Sequence, residues 1–299
     1  MKSIISIGLN YWLPNNLKSN YFLPDCEMDA DRVAQLYEEK GYEPIVSKGI
    51  LTPQVFEATI GQIRQRNLKE LVVYFSGHGM QIPNVNGTET DQWEEALCLW
   101  NGERIMTLLD HDFVAMISGA AEKITVIMDC CHSGGMSKGM IHRNFRTKSV
   151  HYDRFTNTSF RFPKSKSVEE YKKGINFVFA SVESQVSYST GNGGAFTNSF
   201  LQTVTDGNKQ IESIVTHIQE EVTFQRANYI GNATDLVISD VVVSNEAVTE
   251  MITETIAEQL KRTGKAELKG VGTLYIKELW GQNRVCIHPT ESFFNIINS

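Results

Sequence analysis

The chain has 299 residues, 41% of them hydrophobic, and a net charge of −7. That size accommodates one large domain with an ample core and a small one beside it. The acidic balance excludes a general nucleic-acid binder, which needs clustered lysine and arginine for phosphates. No apolar run approaches the roughly 20 residues needed to span a bilayer.

Cysteine usage narrows the setting. Cys26, Cys98, Cys130, Cys131 and Cys286 form an odd, scattered set without Cys-x-x-Cys spacing. They point to a reducing, cytoplasmic compartment rather than to disulfides or structural zinc. The first residues run straight into a strand and lack the long apolar core of a secretion signal.

In chain order, strand-like apolar runs at 4–9, 71–76, 124–129 and 176–181 alternate with helical patterns. The best helix covers 29–40, where Ala30, Val33, Ala34, Leu36 and Tyr37 repeat at helical spacing before Gly41. Further helices are predicted near 53–66, 108–120, 195–205 and 209–224. Such alternation implies an α/β fold, a mainly parallel sheet with helices on both faces. Residues 135–173 break the pattern: they are polar, lack periodicity and hold ten of the chain's 28 lysines and arginines. A segment of this kind inside a domain is a solvated surface loop or a functional one.

After Val243 the chain starts again. Ala247, Val248, Met251, Ile252, Thr255, Ile256 and Leu260 form an apolar helical stripe, with Gly264 in a stop position. Strands follow over 266–277 and near 284–287. From residue 244 onward six basic residues face seven acidic ones, which disfavours DNA binding and favours dimerisation or partner docking. The predicted domains are therefore 1–243 and 244–299.

The chemistry lies where two apolar strands end. Leu71 to Phe75 runs into Ser76-Gly77-His78-Gly79, and Ile124 to Met128 runs into Asp129-Cys130-Cys131-His132-Ser133-Gly134. Continuous apolar runs mark strands buried on both faces. Residues just past their carboxyl ends project into the crevice where ligands bind. One strand thus delivers an imidazole there and the other a thiol. A neutral thiol is a poor nucleophile, and an adjacent histidine corrects that, so the pair reads as a cysteine hydrolase. If the second strand persists, residues 129 and 131 share a face and 130 opposes them.

The two blocks, Ser76-Gly77-His78-Gly79 and Asp129-Cys130-Cys131-His132-Ser133-Gly134, resemble the signatures of the metacaspase and caspase-like peptidases. Ile5 to Tyr11, Leu23 to Ala30, Glu89 to Leu97, Phe179-Ala180-Ser181 and Gly194-Ala195-Phe196-Thr197 resemble flanking blocks of the same family. The resemblance implies a caspase-like sandwich with Cys131, the cysteine before His-Ser-Gly, as nucleophile and His78 as general base and acid; Cys130 is then a small buried hydrophobe, and His132, the neighbour of that thiol, diverges from it. It implies an oxyanion hole of the Gly79 and Cys131 backbone N–H groups, and a substrate pocket lined by Asp29, Asp129 and Ser181. Two carboxylates select arginine or lysine before the scissile bond. No arginine able to select aspartate is evident.

Other implications are of the same kind. Calcium-dependent relatives keep an acidic cluster where Glu89, Asp91, Glu94 and Glu95 stand. With Glu94, Asn101 and Ser189 at positions where the family carries aspartate, the expectation is that no cofactor is required, with calcium as the alternative. The basic loop 135–173 reads as a surface loop or as a self-processing site. Val271-Gly272-Thr273-Leu274 resembles a block of HU-like proteins, which makes 244–299 a small α+β HU-like module. The expected partners are a protein substrate and, through that module, a partner protein or a second copy, with no nucleic acid or membrane. The rival reading is a non-catalytic caspase-like scaffold.

Overall fold

The computed structural model describes residues 1–83, 93–130, 146–150, 158–160, 174–181, 187–239, 265–268, 272–279 and 282–289. The chain divides into two compact units, Met1–Asp240 and Val241–Ser299. The first opens with β1 (Lys2–Gly8), a short hairpin of β2 (Trp12–Leu13) and β3 (Leu17–Lys18), and α1 (Cys26–Glu38). Next come β4 (Glu43–Lys48), α2 (Pro53–Arg64) and β5 (Leu68–Ser76). Then β6 (Gly79–Pro83), β7 (Trp93–Trp100) and β8 (Ile105–Leu109) precede α3 (Asp110–Ile117) and β9 (Ala121–Asp129). After them lie β10 (Arg146–Thr147), β11 (Thr158–Phe160), β12 (Ile175–Phe179) and β13 (Tyr188–Ser189). The unit closes with α4 (Ala195–Thr205), α5 (Ile211–Glu221) and β14 (Asn228–Ile230).

The main sheet has the strand order β14-β12-β9-β5-β1-β4. Its strands run parallel except β14, which is antiparallel to β12. Side chains alternate across it with period two. Leu71, Val73, Phe75, Ile124, Val126 and Met128 join a core with Phe56 and Ile60 of α2 and Phe113 and Ile117 of α3. Val72, Tyr74, Ile127 and Val178 face the other way, toward Val33 and Tyr37 of α1, Phe200 of α4 and Ile214 of α5. Ser76 and Asp129 close this second set. They are register partners, and Gly8 is the partner of Ser76 on the other side.

The expected helices and strands of residues 1–240 form, with ends moved by a few residues. The fold also adds a second sheet, ordered β11-β8-β7-β6. Periodicity did not predict it, because β7 reads Trp-Glu-Glu-Ala-Leu-Cys-Leu-Trp, neither alternating nor continuously apolar. Within 135–173, whose lack of periodicity predicted no element, two short strands form as well: β10 pairs antiparallel with β13, and β11 pairs parallel with β8. Short strands of two or three residues are too brief to show a period.

In the second unit β15 (Lys265–Leu268), β16 (Gly272–Leu279) and β17 (Gln282–Pro289) form an antiparallel sheet in that order. The helix expected over 247–260 lies outside the described residues. Among those residues, no helix is long and apolar enough to cross a membrane.

Helix α1 starts hard against β1. A β-carbon at Gly8 would stand 2.1 Å from the Cys26 carbonyl oxygen. The Asn10 side-chain oxygen accepts from the Glu27 N–H at 3.0 Å and so caps the first turn. Gly8→Ala should therefore destabilise the domain by about 1–3 kcal/mol, as overpacking does. Urea denaturation checks this, and an unchanged midpoint would show that α1 does not depend on the close approach.

Candidate active site

His78 follows the carboxyl end of β5 and is buried, 4% exposed. Its Nε2 lies 2.7 Å from the Tyr21 backbone oxygen. A carbonyl can only accept, so Nε2 carries the proton and Nδ1 keeps its lone pair. Among the described residues Nδ1 has no hydrogen-bond partner. Burial pulls the imidazole down from 6.5 to about 4, opposed by the Tyr21 carbonyl and reinforced by the nearby Lys148 charge. Above that pH the ring is neutral and able to take a proton. The His78 ring is thus oriented by a backbone carbonyl.

Tyr11 adds a second restraint. It sits in the left-handed region at φ 60°, an uncommon conformation for an aromatic residue. Its hydroxyl accepts from the His78 N–H at 2.6 Å and donates to the Cys98 carbonyl at 2.8 Å. Its ring lies 4.7 Å from the imidazole. Only its place in the first-strand block marked Tyr11 in sequence, and nothing there signalled the contact.

Asp129 and Asp29 meet behind the strand ends, both fully buried. Parity puts Asp129 on the α1 face, and α1 presents Asp29 from its first turn. Asp129 accepts from the hydroxyls of Ser187 at 2.5 Å and Thr197 at 2.6 Å. Asp29 accepts from the Gly194 N–H at 2.8 Å and the Ser76 hydroxyl at 3.3 Å. Burial raises the Asp29 carboxyl from 3.8 to about 6; Lys148 opposes this and the Asp129 charge adds to it. One turn earlier, Asp25 accepts from the Ser189 hydroxyl and the Gly191 N–H, both at 2.7 Å. The start of α1 therefore also holds the segment that follows β13.

Between the carboxylates sits Lys148, with no exposed surface. Its Nζ is 2.8 Å from Asp129 Oδ2 and 3.6 Å from Asp29 Oδ2, and it donates to the Ser76 hydroxyl at 2.9 Å. Burial alone would lower the ammonium pKa, but the charges around it, Asp129 foremost, raise it instead. The backbone is held too: the Lys148 N–H donates to the Ser187 carbonyl at 2.9 Å and the Lys148 carbonyl accepts from the Gly79 N–H at 3.0 Å. Gly79 was expected to donate to an oxyanion, and here its N–H holds a peptide carbonyl. In sequence Lys148 was one of ten cations in its loop, with no local signal to single it out.

The other expected residues are placed as follows. Cys131 lies outside the described residues, as do His132, Glu89 and Asp91. Cys130 is buried in the α2-side core, opposite in parity to Asp129. Cys26 is held inert by burial, its thiol pushed up to about 12. Ser181 is buried past the end of β12, and its hydroxyl bonds to neither pocket carboxylate. Ser187 and Thr197, which sequence did not single out, do so. Glu94 is buried in β7. Among the described residues, no three His, Cys, Asp or Glu side chains are grouped to hold a metal ion.

Comparison with known proteins agrees with this architecture. The chain is 28% identical over 233 residues to Metacaspase-3 of Arabidopsis thaliana, covering 68% of this chain and 59% of the relative. It is 34% identical over 150 residues to Metacaspase-1 of Yarrowia lipolytica, covering 44% of this chain and 31% of the relative. The chain thus spans little more than half the length of the first of these and about a third of the second. A crystal structure of a Geobacter sulfurreducens protein shares the fold, with a TM-score of 0.60 and 19% identity over 80% of this chain and 97% of that one. Residues 7–253 match the family model of the caspase domain, a peptidase family, and the chain belongs to that family.

Proposed function

We propose that the chain is a cysteine endopeptidase that cleaves proteins after lysine or arginine and processes itself at Lys148–Ser149, within the basic loop 135–173. Cys131 is the nucleophile and His78 its base. The Sγ thiolate attacks the carbonyl carbon, and the oxyanion forms against the Gly79 and Cys131 N–H groups. The C–N bond then breaks, and the leaving amine takes the proton that His78 had received. A water molecule, deprotonated by His78, hydrolyses the thioester and releases the thiolate.

The observation that carries this reading is Lys148. A lysine side chain lies between two buried carboxylates while its own carbonyl accepts from the Gly79 N–H. A substrate residue about to be cleaved would need both contacts together. A neutral His78 whose Nδ1 has no hydrogen-bond partner among the described residues supports the dyad.

Fluorogenic peptides ending in Lys or Arg should be cleaved at least about a hundredfold faster than those ending in Asp, whose charge the pocket repels. Cys131→Ala and His78→Ala should each lower kcat about 10³-fold or more. As pH falls through about 6, Asp29 gains a proton and the pocket loses an anion, so KM for a lysine peptide should rise. Faster cleavage after Asp would overturn the specificity, and full activity in Cys131→Ala the mechanism. For self-processing, intact-mass analysis of purified wild type should show a new amino terminus at Ser149 that Cys131→Ala lacks. An intact chain in an active preparation would remove that part.

A further inference from the structure

The groove continues past the lysine. Gly79 uses both of its backbone groups on the same segment: its N–H donates to the Lys148 carbonyl at 3.0 Å, and its carbonyl accepts from the Val150 N–H at 3.1 Å. Ser149 lies between these two bonds, paired with Gly79 as a parallel bridge. Gly79 is the first residue of β6, the edge strand of the second sheet, whose other side is paired with β7. The segment therefore adds itself to a sheet edge, a mode in which backbone bonds supply affinity and side-chain sites supply selection. Val150 is half-buried and packs against the α2-side core.

We propose that the edge of β6 at Gly79 is a binding subsite for the leaving-group side of the substrate. It takes an extended peptide whose second residue after the scissile bond offers a backbone N–H to the Gly79 carbonyl and an aliphatic side chain to the core. This rests on the reading that Lys148–Ser149 stands in the register of a bond to be cleaved. Gly79 then has two roles, one on each side of that bond, and the subsite adds a requirement that the carboxylate pocket does not impose. Proline at the second position has no N–H to give. An acidic side chain there would be taken out of water against apolar groups.

Internally quenched peptides of sequence Arg-Thr-Lys-Ser-X, extended by a common tail, test this on the unmodified enzyme, with X as Val, Asp, Pro or N-methylvaline. N-methylvaline keeps the side chain and removes the N–H, so the two contributions separate. The valine peptide should have a kcat/KM roughly tenfold above each of the other three, the scale of one lost backbone bond or one unfavourable burial. Rates equal within about twofold across all four, with cleavage still after lysine, would overturn the subsite and leave the lysine specificity standing. No Cys131-dependent cleavage after lysine in any peptide would overturn the register itself, and the subsite with it. Because only the peptide changes, misfolding of the enzyme cannot produce either result.

Discussion

A fully buried ammonium ion held by two fully buried carboxylates is the constraint around which this molecule is arranged. Moving ions out of water costs several kcal/mol each, and that cost is recovered only with good geometry and further hydrogen bonds. Here Ser187 and Thr197 occupy Asp129, Gly194 N–H and Ser76 occupy Asp29, and Lys148 lies among them. Even so, one oxygen of Asp29 has no hydrogen-bond partner among the described residues, and its carboxyl is raised to about 6. Arg32, 3.9 Å from that oxygen, is a further cation and is partly solvated. Removing one partner from a buried pair costs about 3–5 kcal/mol. The cavity therefore holds a cation at close range, and Lys148 of the chain itself provides it.

The fold delivers that cavity through the two-residue period of its strands. Tyr74 and Ile127 pack toward α1 and α4, so Ser76 and Asp129, two residues on, point to the same side at the sheet's carboxyl edge. The β1–α1 connection supplies the rest. Tyr11 and the Tyr21 carbonyl hold His78, and Asp25 and Asp29 hold the segment after β13 and the pocket. His78 and the carboxylate cluster around Lys148 are thus held by one stretch of chain, closely tied to β1 by the approach at Gly8.

Much of this was legible in the residues. Long apolar runs gave the central strands, helical spacing gave α1 and α4, and the two blocks after β5 and β9 marked His78 and Asp129 at neighbouring strand ends; Cys131, marked with them, lies outside the described residues. Asp29 was named through family resemblance, and it lies beside Lys148 together with Asp129. What escaped depends on pairing between distant segments. Tyr11 meets His78 across 67 positions and Thr197 meets Asp129 across 68, and no local pattern encodes either contact. The Tyr21 contribution is a backbone carbonyl, which any residue would carry. Lys148 stood in a polar stretch whose strand pairing, to Tyr188 and Ser189 through Arg146 and Thr147, is too short to show a period.

The central claim is that Lys148 occupies the same carboxylate site that a substrate lysine would. Calorimetric titration of a lysine-containing peptide into Cys131→Ala, compared with Cys131→Ala carrying Lys148→Ala, tests it directly. Vacating the pocket should tighten binding at least about tenfold, the equivalent of 1.4 kcal/mol. Equal affinity in the two proteins would mean that the peptide binds elsewhere, and would contradict the account.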